Sequence, residues 1–282
     1  MKGLLFFFAK RYIAGTDKND AIGAALRLNK DGILATIDHL GENVKSGPEA
    51  QAVTNEYLAL LDGIKATGAA STVSLKLTHL GLDISNDLAA KNAETIIEKA
   101  AGCDNFVRFD MEGSAYTQKT LDIFLKLHGK YRNMGIAIQS YLLRSRADIE
   151  LLIKKGASVR LVKGAYKEPP EIAFRDKKDV DKNFDSIMKE LLSKGFKPAI
   201  ATHDEKLIDE AKRFADKNDI PKDRFEFQML LGIKRGLQKR LADEGYRVRV
   251  YVPYGRDWLP YTIRRLKERK ENIYFVVRNI FD

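Results

Sequence analysis

Two adjacent arginines near the carboxyl end carry chemistry that their spacing makes usable. In YTIRRLKER (261–269), Tyr261, Arg264, Arg265 and Glu268 fall at i, i+3, i+4 and i+7. At 100° per residue a helix gathers all four on one face, and that face is polar rather than apolar. Two guanidinium groups side by side can clamp a carboxylate through bidentate, charge-assisted hydrogen bonds, which suits a small amino or imino acid. A solvated arginine pair is the alternative reading of this motif alone.

RLVKGAY (160–166) ends a β-rich run with Arg160, Lys163, Gly164 and an aromatic. Strict alternation puts Arg160 and Lys163 on opposite faces, so only one reaches a barrel interior unless the strand opens before Gly164. A lysine there could form a Schiff base or a cation contact with an anionic cofactor. His203, in ATHDE (201–205), stands just past another such run and is expected to hydrogen-bond a ligand. The other three of the four histidines are His39, His79 and His128, and the single cysteine is Cys103. Without paired histidine or cysteine spacing a metal site is not expected, and His79 and His128 read as surface or supporting residues. No G-x-G-x-x-G, no P-loop and no G-x-S-x-G elbow occurs, so a dinucleotide would have to bind outside a Rossmann turn, and serine hydrolysis lacks its nucleophile.

Eight β-rich runs must position these groups: residues 33–39, 72–77, 106–111, 136–142, 159–165, 197–202, 225–230 and 248–253. Helical patterns separate them, as in Phe184-Ile187-Met188-Leu191-Leu192, and the alternation predicts a parallel (β/α)8 barrel of the TIM type. One strand face is apolar (Val73, Leu75, Leu77; Val107, Phe109, Met111; Phe225, Phe227, Met229) and is expected to meet the helices. The other carries Lys76, Arg108 with Asp110, Gln139, Arg160, Glu226 with Gln228, and Arg249 with Tyr251. So many polar groups pointing inward imply a ligand, or an ion-paired core with Arg108–Asp110 and Arg249–Glu226 as pairs.

With 282 residues and 44% hydrophobic content the chain can bury one large core. A short N-terminal helical segment (1–30) followed by one catalytic barrel (31–282) is the expected organisation. The formal charge is +10, but basic and acidic residues are interleaved, as in DKKDVDKNFD (176–185), so no nucleic-acid partner is expected. Leu4–Ala9 is apolar but too short to span a bilayer. A lone cysteine fits a reducing compartment, so the expected location is cytoplasmic, with peripheral contact at the inner face of the membrane also compatible.

Taken together, VSLKLTHLG (73–81), RFDMEGS (108–114), QSYLLRS (139–145), RLVKGAYKE (160–168), ATHDE (201–205), FEFQMLLG (225–232) and VRVYVPYG…LPYTIRRLKER (248–269) resemble proline dehydrogenases, most of all the short monofunctional bacterial type. The resemblance implies a distorted (β/α)8 barrel with its final helix above the barrel, a non-covalent FAD, and oxidation of L-proline to pyrroline-5-carboxylate. It also implies a membrane quinone as electron acceptor and a pyrroline-5-carboxylate dehydrogenase as the partner that takes the product. By the same resemblance Arg264 and Arg265 bind the proline carboxylate, Lys76 lies near the substrate, Leu230, Tyr251 and Tyr261 shape its pocket, and Asp110 supports it. Arg160 falls beside the flavin N5 and Gln139 on the ring. Val162, Lys163, Gly164, Thr202, His203 and Glu268 lie around the cofactor. Lys167 stands where the family often has an aromatic. The competing enzymatic reading is a Schiff-base lyase using Lys76 or Lys163, and the non-enzymatic one is a catalytically silent barrel.

Overall fold

The computed structural model describes residues 9–267. Glu268 and most of the apolar start, residues 4–8, lie outside the described residues. After helix α1 (Lys18–Lys30) the chain alternates strand and helix: β1 (Leu34–His39), α2 (Gly47–Thr67), β2 (Ser71–Leu75), α3 (Asn86–Gly102), β3 (Val107–Phe109), α4 (Ser114–His128), β4 (Met134–Gln139) and α5 (Ser145–Lys154). It continues with β5 (Ser158–Val162), α6 (Lys177–Lys194), β6 (Ala199–Ala201), α7 (Glu205–Lys217), β7 (Glu226–Leu230), α8 (Arg235–Asp243), β8 (Arg247–Tyr254) and α9 (Trp258–Lys267). The strands pair in sequence order into one closed barrel. β1 closes it, pairing parallel to β2 from Ala35↔Ser71 and to β8 from Leu34↔Arg249.

Local signals fix the helix ends. Ser46 caps α2, a proline fills the first turn, and Gly68 at φ 67° ends the helix in the left-handed conformation that a side chain resists. Ser85 caps α3 by accepting from the amides of Asp87 and Leu88. α1 buries Ala21, Ile22, Ala24 and Ala25 in the same core as the barrel. Among the described residues no helix is long and apolar enough to cross a membrane.

The two strand faces separate as alternation requires. Phe109 and Phe124 of α4 meet edge to face at 5.8 Å, and Phe227 packs on Tyr246, so the apolar set faces outward to the helix ring. The polar set meets across the interior: Arg160 Nη2 of β5 donates to Ser74 Oγ of β2 at 3.0 Å, and Arg249 holds Glu226 through bonds of 2.9 and 3.1 Å. The other expected pair does not form. Arg108 donates to the Ser158 carbonyl and hydroxyl, while Asp110 pairs with Arg160. Residues i and i+2 share a strand face but sit roughly 6.6 Å apart along it, so Arg108 and Asp110 occupy different layers, each with partners from other strands. Met111 also departs from the pattern, because β3 ends at Phe109 and Met111 turns into the cavity described below.

Neither His79 nor His128 is a surface residue. His79 is 5% exposed, tilted against His39, which stacks on Tyr254. Burial, with help from His39 and Lys76, lowers its pKa to about 3. The close approach of the ring leaves no room at Gly41, where an added Cβ would come 2.1 Å from Nε2. His128 stacks on Phe124.

Candidate active site

Above the carboxyl ends of the strands lies a cavity of about 500 Å³, within the ~300–1,000 Å³ usual for small-molecule sites and on the face where barrel enzymes work. Its floor is an ion-paired layer built by β5, β7, β8 and the residue after β3. Arg160, 4% exposed, reaches Asp110 Oδ1 at 2.5 Å and Gln228 Oε1 at 2.5 Å. The Tyr251 hydroxyl donates to the other Asp110 oxygen at 2.7 Å, and the Arg160 guanidinium lies 5.5 Å from the Tyr251 ring. Burial raises the Asp110 carboxyl above its ordinary range, with Arg160 the first of the groups opposing it. Burial also raises the Tyr251 phenol, keeping it a donor.

Lys76 stands just past β2 and is held by Asp38 of β1 at 3.0 Å. Burial works against its charge, yet Asp38 and then Asp110 keep the ammonium above its usual pKa. A Schiff-base nucleophile needs the opposite, a free amine. Lys163 reaches the same cavity as Arg160, because β5 ends at Val162 and the chain opens into Gly164 at φ 121°. Its ammonium bridges Asp181 of α6 at 2.5 Å and Asp204 at 3.0 Å.

The far wall and roof come from the last elements. α9 brings Tyr261, Arg264 and Arg265 into the lining, so the final helix sits over the barrel mouth. Arg264 Nη1 pairs with Glu42 Oε1 at 2.8 Å. Leu230 lines the wall and its amide donates to His203 Nε2 at 2.9 Å, which places the proton of a neutral ring on Nδ1. Thr202 lies beside it, and its hydroxyl accepts from the Asp204 amide. Gln139, 2% exposed, donates to the Met111 carbonyl, while its Oε1 is buried with no hydrogen-bond partner. Val162 and Gly164 complete the side below it.

Every site residue expected from the sequence therefore borders one cavity, except Glu268, which lies outside the described residues. Five cations (Lys76, Arg160, Lys163, Arg264, Arg265) face it against Asp110 and Asp204. Sequence reasoning missed Asp38, Glu42, Tyr166 and Asp204. Asp204 and Tyr166 sit inside quoted motifs, so position after a strand could have found them. Glu42 offered no local signal, since its partner is 222 residues away.

Residues 21–278 match the family model for proline dehydrogenase. The chain is 43% identical over 272 residues to proline dehydrogenase 2 of Bacillus subtilis, covering 96% of this chain and 90% of that protein. It is 42% identical over 277 residues to a proline dehydrogenase of Deinococcus radiodurans, covering 96% and 89%. Its structure resembles proline utilization A from Bdellovibrio bacteriovorus inactivated by N-propargylglycine, with a TM-score of 0.88 and 29% identity, over 95% of this chain and 33% of that one.

Proposed function

The chain belongs to the proline dehydrogenase family and catalyses the first step of proline catabolism, and from that premise we propose that the cavity above the strands oxidises L-proline to pyrroline-5-carboxylate with FAD as hydride acceptor and a membrane quinone as final oxidant. The observation that carries this reading is the convergence of Arg264 and Arg265 from α9 on the Arg160–Asp110–Tyr251 layer of the barrel, in one cavity.

The residues fit a flavin. Gln139 Oε1 is a buried acceptor still lacking a donor, and ring N–H groups are donors of that kind. Lys163, held at the cavity edge by Asp181 and Asp204, and the open backbone at Gly164 offer N–H donors for phosphate, with Val162, Thr202 and His203 beside them. When bound, the flavin supplies the hydride acceptor.

The chain's own residues bind and orient. Arg264 and Arg265 take the substrate carboxylate, Tyr261, Leu230 and Tyr251 enclose the ring, and α9 shields it from water. The Lys76 ammonium and the Arg160 guanidinium border the cavity, and cationic groups beside the substrate nitrogen favour proline with a neutral amine over the zwitterion. A neutral amine is the form whose ring carbon can lose a hydride. Arg160, fixed on Asp110 and Gln228, holds positive charge where negative charge grows on the acceptor. Asp110 positions Arg160 and Tyr251 rather than meeting substrate.

The product is an electrophilic imine, so a pyrroline-5-carboxylate dehydrogenase is the partner in sequence. A matched protein of Escherichia coli is named bifunctional, and this chain spans 24% of it. The chain would meet its quinone at the inner face of the membrane from the cytoplasm. The test is turnover. With FAD and a water-soluble quinone, the protein is expected to form one pyrroline-5-carboxylate per quinone reduced; absence of L-proline-dependent quinone reduction contradicts the reading.

A further inference from the structure

The barrel interior holds a second cavity, of about 260 Å³, at the amino-terminal ends of the strands. Arg160 and Gln228 line both cavities, so their hydrogen bond is the partition between them. Charge is unevenly matched in the lower one. Glu226 is taken up by the bidentate pair with Arg249. Arg108, Lys197, Arg224 and Arg247 remain, against Asp223.

Arg108 is 5% exposed. Its guanidinium gives one bond to the Ser158 carbonyl at 2.7 Å and one to the Ser158 hydroxyl at 3.1 Å, and lies 4.9 Å from the Phe106 ring. A guanidinium has five donors, and among the described residues no carboxylate oxygen comes within ion-pair distance of Arg108. Burial, then Arg160, lowers its pKa to about 9. Glu226 and Asp110 support its charge only from beyond ion-pair distance, and a buried charge without a directly paired counter-ion is unfavourable unless something supplies one. Lys197, Arg224 and Arg247 are exposed around the opening and form no ion pair among the described residues. Lys197 holds φ at 43°, a left-handed backbone that a lysine adopts at a cost, and its carbonyl is tied to the Ser158 hydroxyl.

We propose that this lower cavity binds a small multivalent oxyanion of the phosphate class, held by Arg108 inside and by Lys197, Arg224 and Arg247 at the mouth. Its volume admits the oxyanion itself, or the phosphoryl end of a monoester whose remainder stays in solvent. A multivalent anion is favoured over a halide because cations approach from β3, from the turns before β6 and β7, and from the start of β8, and present directed N–H donors. The site is on the opposite side of Arg160 from the proline cavity and makes no demand on it.

The experiment is calorimetric titration of inorganic phosphate into the FAD-supplied protein at constant ionic strength set with sodium chloride. One saturable site is expected. Binding should weaken at least tenfold in Arg108→Gln and several-fold in Arg224→Gln, and stay within twofold in Arg264→Gln, which alters the upper cavity. The Arg224 side chain is exposed and makes no hydrogen bond or ion pair among the described residues, so its variant carries the test if Arg108→Gln fails to fold. A parallel titration with adenosine monophosphate separates the sources: tighter binding than phosphate identifies a monoester, equal or weaker binding the free anion. No saturable site, binding unchanged in Arg224→Gln, or loss only in Arg264→Gln overturns the proposal.

Discussion

Arg264 Nη1 lies 2.8 Å from Glu42 Oε1, so the helix over the barrel is tied to the loop after β1 at the cavity mouth. The pair is partly solvated, with side-chain exposures of 32% and 25%, and such pairs contribute only about 0–1 kcal/mol to stability. Its consequence is positional. One donor of Arg264 is spent on Glu42, which orients the guanidinium and leaves its other donors for the proposed substrate carboxylate. Glu42→Gln is expected to raise KM for proline several-fold with a smaller change in kcat and little change in Tm. An unchanged KM would remove Glu42 from this positioning role.

In the proposed site Arg264 itself carries a direct contact to the substrate carboxylate. Arg264→Gln removes charge-assisted bonds of about 1.5–3 kcal/mol, which predicts a KM increase on the order of 10- to 100-fold with kcat less affected. Steady-state kinetics against proline concentration checks it, and an unaltered KM would take the carboxylate away from this residue.

The Arg160–Asp110 pair is buried on both sides, with side-chain exposures of 5% and 13%. Asp110→Ala leaves a buried guanidinium without its partner and takes the acceptor from Tyr251, which predicts a stability loss of about 3–5 kcal/mol. Chemical denaturation should show a lower midpoint at unchanged slope. A loss below ~1 kcal/mol would mean that the layer is solvated rather than sealed.

Glu112, just past β3, is 2% exposed, and accepts from the Thr78 amide at 3.2 Å and from the Thr78 hydroxyl. Burial raises its pKa from 4.5 to about 7, against the Thr78 bonds. Between those values the folded chain holds a proton that the unfolded chain has released. Glu112 therefore stabilises most below pH 4.5, and that contribution disappears as pH rises to about 7. His79 has the opposite slope: its pKa is lowered from 6.5 to about 3, so its contribution is lost as pH falls below 6.5. The difference in unfolding free energy between the protein and Glu112→Gln isolates the first term. It should shift against wild type by up to ~3 kcal/mol between pH 4.5 and 7.5; a pH-independent difference would contradict it.

The barrel was legible because strand and helix periods differ and alternate without interruption, and because the outward and inward faces of β2, β3, β7 and β8 are chemically distinct. Arg249–Glu226 could be read from that inward face. Arg108–Asp110 could not be rejected from it, since alternation gives a side but not a layer, and the layer depends on the stagger of strands around the barrel. His79 read as either a surface or a supporting residue, because its sequence neighbours do not show that the turn after β2 folds it back, buried, against His39. The partners of Arg264 and Lys76 come from β1 and the loop after it, far from either in sequence and with no motif of their own.

The central claim is that this cavity brings L-proline and a flavin together. The most direct measurement is the visible absorption spectrum of the purified protein, supplied with FAD if needed, before and after anaerobic addition of L-proline. Flavin bands that bleach on L-proline are the predicted result. Bands that persist at saturating L-proline, or a protein that binds no flavin at all, would contradict the account.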